Sequence, residues 1–502
     1  MRKISRKQFD AYCYVRQPLV VAYSREVAWF EAGDKKLLAV VVYDRTDSDF
    51  GYVILGRDKR NLFRCIAISK SFYPNPMEAI KALDKEITTL ENDGKKNYPQ
   101  GDEMEPPYKI FKPVVSAASQ HPYFKVLTRE PRFEAARNLI REIAYSFVDV
   151  DGNYIQQFQT TGFDTRLWEL YLYVYLYNSS FLIDREFSVP DFCLNKFGYE
   201  CFIEAVTVGA NSEFDAPNPL SAKEIVELSK NYLPIKYGSA LFSKLNRRRP
   251  YWEMSHVKGR PFILAVHDYH KPAETGVPGS MTWTRAGLSN YLYGIRDELR
   301  EDENGRLVPV FLAPCRVPTV SMIKTETHTY GRKTIPSKFF WQPNAENISA
   351  VLYSNAATLT TFNRMGKLAG LGSKDVKMIR IGMKAHPDPA SYMPQPFYKD
   401  IDDPDYEEAW GDSIVMYHNP NALYPVDPNV FPDISHITYD EVTESFSAIP
   451  NPNEIFSSVT LAIAPKNTKP RKKQKSNKGR TSKVLPSSKG IKNTKKTKPN
   501  KK

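Results

Sequence analysis

The sequence predicts an α/β fold, α+β overall, and two patterns support this prediction. Residues 165–270 follow the order helix, strand, strand, helix, strand, which is typical of an α/β core. Residues 26–72 alternate apolar and polar side chains in runs separated by turn-forming segments, which predicts an antiparallel β-meander. At 502 residues the chain is too long for one ordinary core, so we expect two or three domains.

The same patterns divide the chain into four segments. Residues 1–100 contain the meander and one amphipathic helix, which predicts a small α+β domain. Residues 125–275 contain the α/β core, and residues 280–462 form an irregular C-terminal α/β region of short strands and many prolines. Residues 465–502 contain no Asp or Glu and few apolar side chains, which predicts a disordered basic tail.

The net charge of +13 is concentrated in this basic tail. The tail holds 16 Lys and Arg residues, whereas the rest of the chain has 54 basic and 57 acidic residues and a net charge of −3. Such a tail favours non-specific attachment to nucleic acid through counterion release, with Lys472 and Lys473 as candidate contacts. The alternative is a solubilising tail that has no dedicated partner.

Composition also indicates the compartment. The five cysteines show no spacing typical of zinc sites, and the N-terminus lacks the apolar stretch of a signal peptide, so we expect a cytoplasmic protein. The most apolar window, residues 167–183, is short and is interrupted by Glu169 and other polar residues. This window predicts a buried core helix rather than a membrane span, and we expect no membrane partner.

Two carboxylates interrupt otherwise apolar strands in "VPDFCLNKFGYECFIEAVTV", residues 189–208. If the hairpin turns between Phe197 and Gly198, Asp191 faces Glu204 directly, with Cβ atoms about 5 Å apart. A one-residue bulge would break this register.

These strands are apolar on both faces, which predicts that they are central and buried. Two buried, opposed carboxylates repel each other and need a proton, a basic partner or a cation. Mg²⁺, or Mn²⁺ in its place, held by one or two carboxylates and a substrate phosphate, would satisfy this need. The alternative is a structural hairpin whose acids are paired or protonated.

Residues 165–270, about a fifth of the chain, resemble the core of the PD-(D/E)XK nuclease superfamily. The matching segments are "WELYLYVYL" with Glu169, "VPDF" with Asp191, "FIEAVTV" with Glu204, then "IKYGSALFSKL" and "RPFILAVHD". The resemblance implies a nuclease-like αβββαβ core in which Asp191 and Glu204 bind Mg²⁺. It also implies that Glu169 is a further ligand or an acid that orients the attacking water.

The lysine of this family is the point of departure. It lies two residues after the second acid, and Val206 occupies that position here. Some members carry the lysine on the neighbouring helix, where Lys236, Ala240 and Lys244 share one helical face in this chain. We predict that Lys244 takes the role, because it lies within the amphipathic segment "GSALFSKL".

A basic and aromatic segment, "RRRPYW", follows this helix. Arg247, Arg248 and Arg249 are candidate phosphate contacts, and Tyr251 and Trp252 are candidates for base stacking. The alternative is a positively charged helix end that complements the helix dipole.

The strand end "AVHDYH" offers a second set of candidate residues, His267, Asp268 and His270. A His/Asp cluster can bind a metal or act as a base. Strand alternation puts His267 with Tyr269 on one side and the other two on the opposite side, so we expect strand-end capping instead of one site.

Together these features predict a Mg²⁺-dependent endonuclease that hydrolyses phosphodiester bonds of DNA, with Glu169, Asp191, Glu204 and Lys244 at its active site. The alternative is a non-catalytic nucleic-acid-binding or scaffold protein on a decayed nuclease fold, which Val206 favours. The sequence does not indicate an oligomeric state.

Overall fold

The computed structural model describes residues 1–103, 108–147, 149, 152–209, 222–269, 284–303, 307–310, 321–388 and 394–465. Helices and sheets are mixed throughout these residues, so the predicted mixed α/β class, α+β overall, is confirmed. The basic tail beyond Pro465, with Lys472 and Lys473, lies outside the described residues.

The first hundred residues form the predicted meander and its helix, because the alternating side chains give the sheet two apolar faces. One face packs on helix α3 through Ala39, Val41 and Leu83, and the other face joins the main core through Leu38 and Val40. The elements are β1 (Arg2–Ile4), α1 (Arg6–Asp10), α2 (Pro18–Tyr23), β2 (Ser24–Ala32), β3 (Leu37–Asp44), β4 (Phe50–Arg57), β5 (Phe63–Ile68) and α3 (Pro76–Asn92).

A helical layer follows, and its last helix, α7, is buried on nearly every side. This explains why its apolar residues show no one-sided pattern. Trp168 on α7 donates its Nε1–H to the Ala265 carbonyl at 2.9 Å, which ties the helix to a strand of the central sheet. The prediction of a buried core helix is confirmed, and no helix in the described ranges is long and apolar enough to cross a membrane. The helices are α4 (Pro122–Arg129), α5 (Glu134–Ser146), α6 (Tyr154–Gln159) and α7 (Phe163–Asn178).

The central sheet begins with the predicted hairpin. The first hairpin strand starts at Phe192, after Pro190, which has no N–H to donate to the ladder. The next strand pairs with it antiparallel and with the following strand parallel, across two connecting helices. The elements are β6 (Leu182–Asp184), β7 (Phe192–Lys196), β8 (Tyr199–Val208), α8 (Ala222–Lys230), α9 (Tyr232–Leu245) and β9 (Phe262–Asp268).

Residues beyond 280 extend the same sheet, which has the strand order β21-β20-β19-β16-β9-β8-β7-β6. Another three strands form a separate sheet in the order β18-β17-β22, and α10 and α11 pack beside these sheets. The elements are α10 (Arg285–Tyr293), β10 (Ile295–Asp297), β11 (Leu299–Glu301), β12 (Leu307–Pro309), β13 (Met322–Lys324), β14 (Thr327–Tyr330), β15 (Lys333–Pro336), β16 (Ala350–Ser354), α11 (Leu359–Leu368), β17 (Lys377–Lys384), β18 (Gln395–Asp400), β19 (Ile414–His418), β20 (Ser435–Asp440), β21 (Ser445–Ile449) and β22 (Ile455–Ile463).

The layering around β8 positions the candidate site. Ile203 and Ala205 point into the core that contains α7, whereas Phe202 and Val206 point into the core that contains α9. Strand β7 pairs with β8 only as far as Ile203, and no other strand in the described residues continues the ladder on that side of β8. Side chains from both helical layers can therefore meet at this edge.

Candidate active site

The hairpin has the predicted register. Phe192 faces Ile203 in the last ladder pair, so the next facing positions are Asp191 and Glu204. Asp191 stands just before β7, and its Oδ2 accepts a hydrogen bond from the Ala205 N–H at 2.8 Å. The two carboxyl groups therefore lie together where β8 leaves its partner strand.

Glu204 is held by two donors from the α9 side of the sheet. Lys244 Nζ lies 2.7 Å from Glu204 Oε1, and the Tyr251 hydroxyl donates to the same oxygen at 2.7 Å. The ammonium and the phenol are themselves 3.5 Å apart. Both bonds use Oε1, so Oε2 of this buried carboxylate accepts no hydrogen bond from the described residues.

Asp191 is the acid whose charge is least compensated. Burial, and then the neighbouring carboxylates of Glu204 and Glu169, raise the pKa of Asp191 well above its usual value. The nearby cation Arg185 donates to the Asp191 backbone carbonyl at 2.7 Å rather than to its carboxylate. Within the described part of the chain Asp191 forms no ion pair, so a bound cation would relieve the repulsion at this position.

Glu169 reaches the same region from α7, and its carboxylate is paired. Arg166 Nη1 lies 2.9 and 2.7 Å from the two Glu169 oxygens. Arg166 is in turn fixed by Gln157 on α6, whose Oε1 accepts its Nε–H at 2.8 Å. Burial raises the pKa of Glu169, Arg166 opposes that rise, and Glu204 adds to it. Glu169 is thus close enough to sense the Glu204 charge while being tied to its own helix layer.

The geometry distinguishes the candidate lysines. Lys244 reaches Glu204, whereas Lys236 Nζ lies 3.4 Å from the Gly209 carbonyl oxygen. Val206 is buried in an apolar cluster that includes Tyr237. A lysine at position 206 would have to place its stem in that cluster, whereas Lys244 approaches from the helix end, where it is 29% exposed.

The basic segment after α9 corrects one prediction. Tyr251 is buried and donates to Glu204, so its ring is not available for base stacking. Arg247 lies over the Tyr251 ring at 4.5 Å, and its Nη1 is buried without a hydrogen-bond partner among the described residues. Arg248 and Arg249 are exposed, and Trp252 is half-buried near Phe262. The three arginines therefore follow the end of α9, which lies beside Glu204. Tyr251 holds the Glu204 carboxylate and is not available to stack on a nucleic-acid base.

The His/Asp strand end divides between the two faces, as predicted. His267 packs on Tyr269, with ring centroids 4.0 Å apart, while Asp268 accepts a hydrogen bond from Tyr237 at 2.8 Å on the α9 side. Burial lowers the pKa of His267 to about 3, and its Nε2 accepts the Ala357 N–H at 2.8 Å. These contacts are structural, and His270 lies outside the described residues.

Only a small ligand set is available for a metal ion. Among the described residues there is no group of three or more His, Cys, Asp or Glu side chains placed to hold one. Mg²⁺ retains several waters and needs only one or two carboxylates together with a substrate phosphate. The Asp191 carboxylate and Glu204 Oε2 fit that requirement, because both are hard oxygen donors. A bound cation would also reduce the repulsion between the two carboxylates.

Three residues of the site escaped the sequence prediction as participants. Arg166 stands three positions before Glu169 on one helix, a spacing that indicates an ion pair and could have been found. The sequence predicts Tyr251 only as a candidate for base stacking, because its bond to Glu204 spans 47 positions and follows no sequence period. Arg185 lies in an irregular segment before Asp191, where no sequence period predicts contacts.

Comparison with known proteins does not assign a family to the chain, so any functional inference depends on the geometry of the site. No protein-family model, no curated protein and no solved structure matches the chain. Since a fold by itself does not specify an activity, the residues of the site carry the functional information.

Proposed function

We propose that the chain is a Mg²⁺-dependent nuclease that hydrolyses phosphodiester bonds of DNA. The observation that carries the proposal is the contact of Lys244 Nζ with Glu204 at 2.7 Å, beside the carboxylate of Asp191, which forms no ion pair with any described residue. Two acids can hold a metal ion that activates water, and a neighbouring lysine can position that water or donate a proton.

The order of elements supports the same proposal. Helix α7, three antiparallel strands β6–β8, helices α8 and α9, and the parallel strand β9 follow one another as in the core of the PD-(D/E)XK superfamily. The two acids stand on the hairpin, and α9 supplies the lysine in place of Val206.

Each residue has a role that follows from its contacts. Asp191 and Glu204 would hold Mg²⁺, or Mn²⁺, with Asp191 as the less compensated donor. When bound, the ion polarises the scissile phosphate and lowers the pKa of the attacking water. Lys244 donates toward the reacting oxygens and holds the Glu204 carboxylate in place. Glu169 approaches from the α7 side of the sheet. There its carboxylate, paired with Arg166, can orient the attacking water.

Phosphate contacts next to the acids indicate the class of substrate. Arg248 and Arg249 are exposed just after α9, the helix whose Lys244 contacts Glu204, and Arg247 lies over the ring of Tyr251. Guanidinium groups bind phosphates through paired N–H donors. Together with the basic tail, these residues favour a polyanion such as DNA over a small phosphate ester.

The test is calorimetric titration of Mg²⁺ and Mn²⁺ into the purified full chain, followed by a plasmid-nicking assay with and without EDTA. We expect one divalent-ion site and nicking that stops in excess EDTA. Nicking that persists in EDTA would contradict the mechanism, and the absence of both ion binding and nicking would contradict the function.

Lys244→Met provides a separate prediction within this proposal. We expect the nicking rate to fall about 10²- to 10⁴-fold, because a positioned proton donor is lost. Divalent-ion binding should persist or tighten, since a competing cation leaves Glu204. Lys81→Met, on the exposed side of α3, is the matched control and should nick at the wild-type rate. Equal nicking by both variants would remove Lys244 from the mechanism.

A second candidate function is favoured by Val206, the residue at the usual lysine position. On this view the chain is a non-catalytic nucleic-acid-binding or scaffold protein on a decayed nuclease fold. DNA binding would then disappear when residues 465–502 are deleted, would show no metal dependence and would weaken steeply with salt. Gel-shift titrations of the full chain and the deletion at two salt concentrations separate this view from the first.

A further inference from the structure

An exposed aromatic pair lies next to the candidate active site. The Phe187 and His256 rings are stacked at a centroid distance of 3.9 Å and an interplanar angle of 5°. Phe187 is 38% exposed and is the one aromatic residue in a mostly polar segment, residues 184–188. One face of the ring is covered by the imidazole, and the exposed fraction of Phe187 leaves aromatic surface open to solvent. We call Phe187 and His256 the stacking platform.

Two hydrogen bonds tie the stacking platform to the site. His256 donates its Nε2–H to the Val189 carbonyl at 2.9 Å, two residues before Asp191. Arg185 donates to the Asp191 carbonyl at 2.7 Å and closes the same short loop from its other end. Phe187 therefore stands on a loop that is held at both ends and whose last residue is the acid.

The other half of the stacking platform packs beside the strand that carries Glu204. The His256 ring lies 5.9 Å from Phe202, which is two residues before Glu204 on the same face of β8. Two residues along a strand span about 7 Å. The segment that carries His256 also carries Tyr251, which binds Glu204 directly. The stacking platform therefore contacts both chain segments that carry the acids, through Val189 before Asp191 and through Phe202 before Glu204.

The charge of the segment that carries His256 fits a nucleic-acid strand, while the exposed acids near Phe187 are Asp184 and Glu186. Residues 247–260 contain five Arg or Lys residues and a single acid, Glu253. Arg248, Arg249 and Lys258 are exposed on this segment. Basic side chains that follow the backbone, combined with an aromatic surface that accepts a base, are the features by which proteins bind single-stranded nucleic acid.

A paired base cannot use this surface, since both of its faces are covered within a duplex. We propose that the stacking platform binds an unpaired base of single-stranded DNA whose backbone crosses the Asp191–Glu204 site. The inference rests on the proposed nuclease function and specifies its substrate, a single strand or an unpaired junction instead of an intact duplex.

The test measures binding of the full chain in EDTA, where the proposed cleavage is off. Fluorescence anisotropy gives the affinity for a single strand and for a duplex of the same sequence, and 2-aminopurine in the single strand reports stacking. We expect Phe187→Leu, which keeps an apolar side chain but removes the aromatic face, to weaken single-strand binding about 5- to 150-fold. Duplex binding should stay unchanged.

Two further variants complete the test. Phe187→Trp should restore single-strand affinity and 2-aminopurine quenching, since it restores a stacking surface. Phe72→Leu, at another exposed phenylalanine, is the matched control and should bind like the wild type. Contacts of the basic tail are common to all of these proteins and cancel in the comparison.

The outcomes separate the inference from the proposed function. If Phe187→Leu binds the single strand like the wild type, the stacking platform is overturned, whether or not the protein nicks DNA. If the variant loses single-strand binding while the wild type shows no divalent-ion site and no nicking, the platform stands and the nuclease assignment falls. An equal loss of single-strand and duplex binding would also overturn the inference, because it would indicate a general effect on the loop.

Discussion

Replacing Glu204 with glutamine is expected to lower the rate of DNA nicking by at least about 10³-fold, and Asp191→Asn is expected to do the same. The two carboxylates are the donors left for a divalent ion, and the transition-state charge that such an ion stabilises contributes several kcal/mol; about 4 kcal/mol corresponds to a factor of about 10³. Divalent-ion binding in the calorimeter should vanish in both variants.

The fold should survive these changes. Glutamine keeps the size of Glu204 and can still accept the Tyr251 hydrogen bond, and Lys244 is exposed enough for water to solvate its ammonium. Glu200→Gln is the matched control, because it removes an exposed acid four residues earlier in the same strand. Circular dichroism and thermal melting should match the wild type for all three variants. Undiminished nicking by Glu204→Gln would return the acid pair to a structural role.

The largest expected effect on stability lies far from this site, at Glu408. Arg364 donates to both Glu408 oxygens at 2.8 and 2.7 Å, and Arg380 Nη1 lies 3.1 Å from Oε1. Tyr406 adds a fourth contact through its hydroxyl at 2.7 Å. The two arginines are 1–2% exposed. Glu408→Gln would remove the carboxylate that pairs with the buried Arg364 guanidinium, and we expect the free energy of unfolding to fall by about 3–5 kcal/mol.

The pH dependence of stability provides an independent readout. Burial alone would raise the pKa of Glu408, but Arg364 and Arg380 lower it to about 2. A carboxyl with a depressed folded-state pKa stabilises the fold above its unfolded pKa and loses that contribution as the pH falls through the folded pKa. The difference in unfolding free energy between wild type and Glu408→Gln should therefore be full above about pH 4.5 and shrink toward pH 2.

Urea denaturation at several pH values measures this difference. Glu407→Gln is the matched control, since the neighbouring glutamate is exposed. It should denature like the wild type at every pH. A Glu408→Gln variant as stable as the wild type at neutral pH would show that the buried arginines find another counterion.

The sequence by itself determined the local structure around the acids. Alternating apolar residues predicted β7 and β8, the turn at Phe197 and Gly198 determined the hairpin register, and that register brought Asp191 opposite Glu204. The helical face shared by Lys236 and Lys244 could also be derived from helical periodicity alone. These are short-range features, which the chain specifies within a few residues.

Only the tertiary structure decided which groups surround the acids. Selecting Lys244 over Lys236 depends on where α9 crosses the sheet, and the support of Glu204 by Tyr251 depends on the path of the chain after that helix. The stacking of Phe187 on His256 joins residues 69 positions apart in segments without a regular period. Side chains that meet through packing between layers obey no sequence spacing, so the fold has to place them before their chemistry can be inferred.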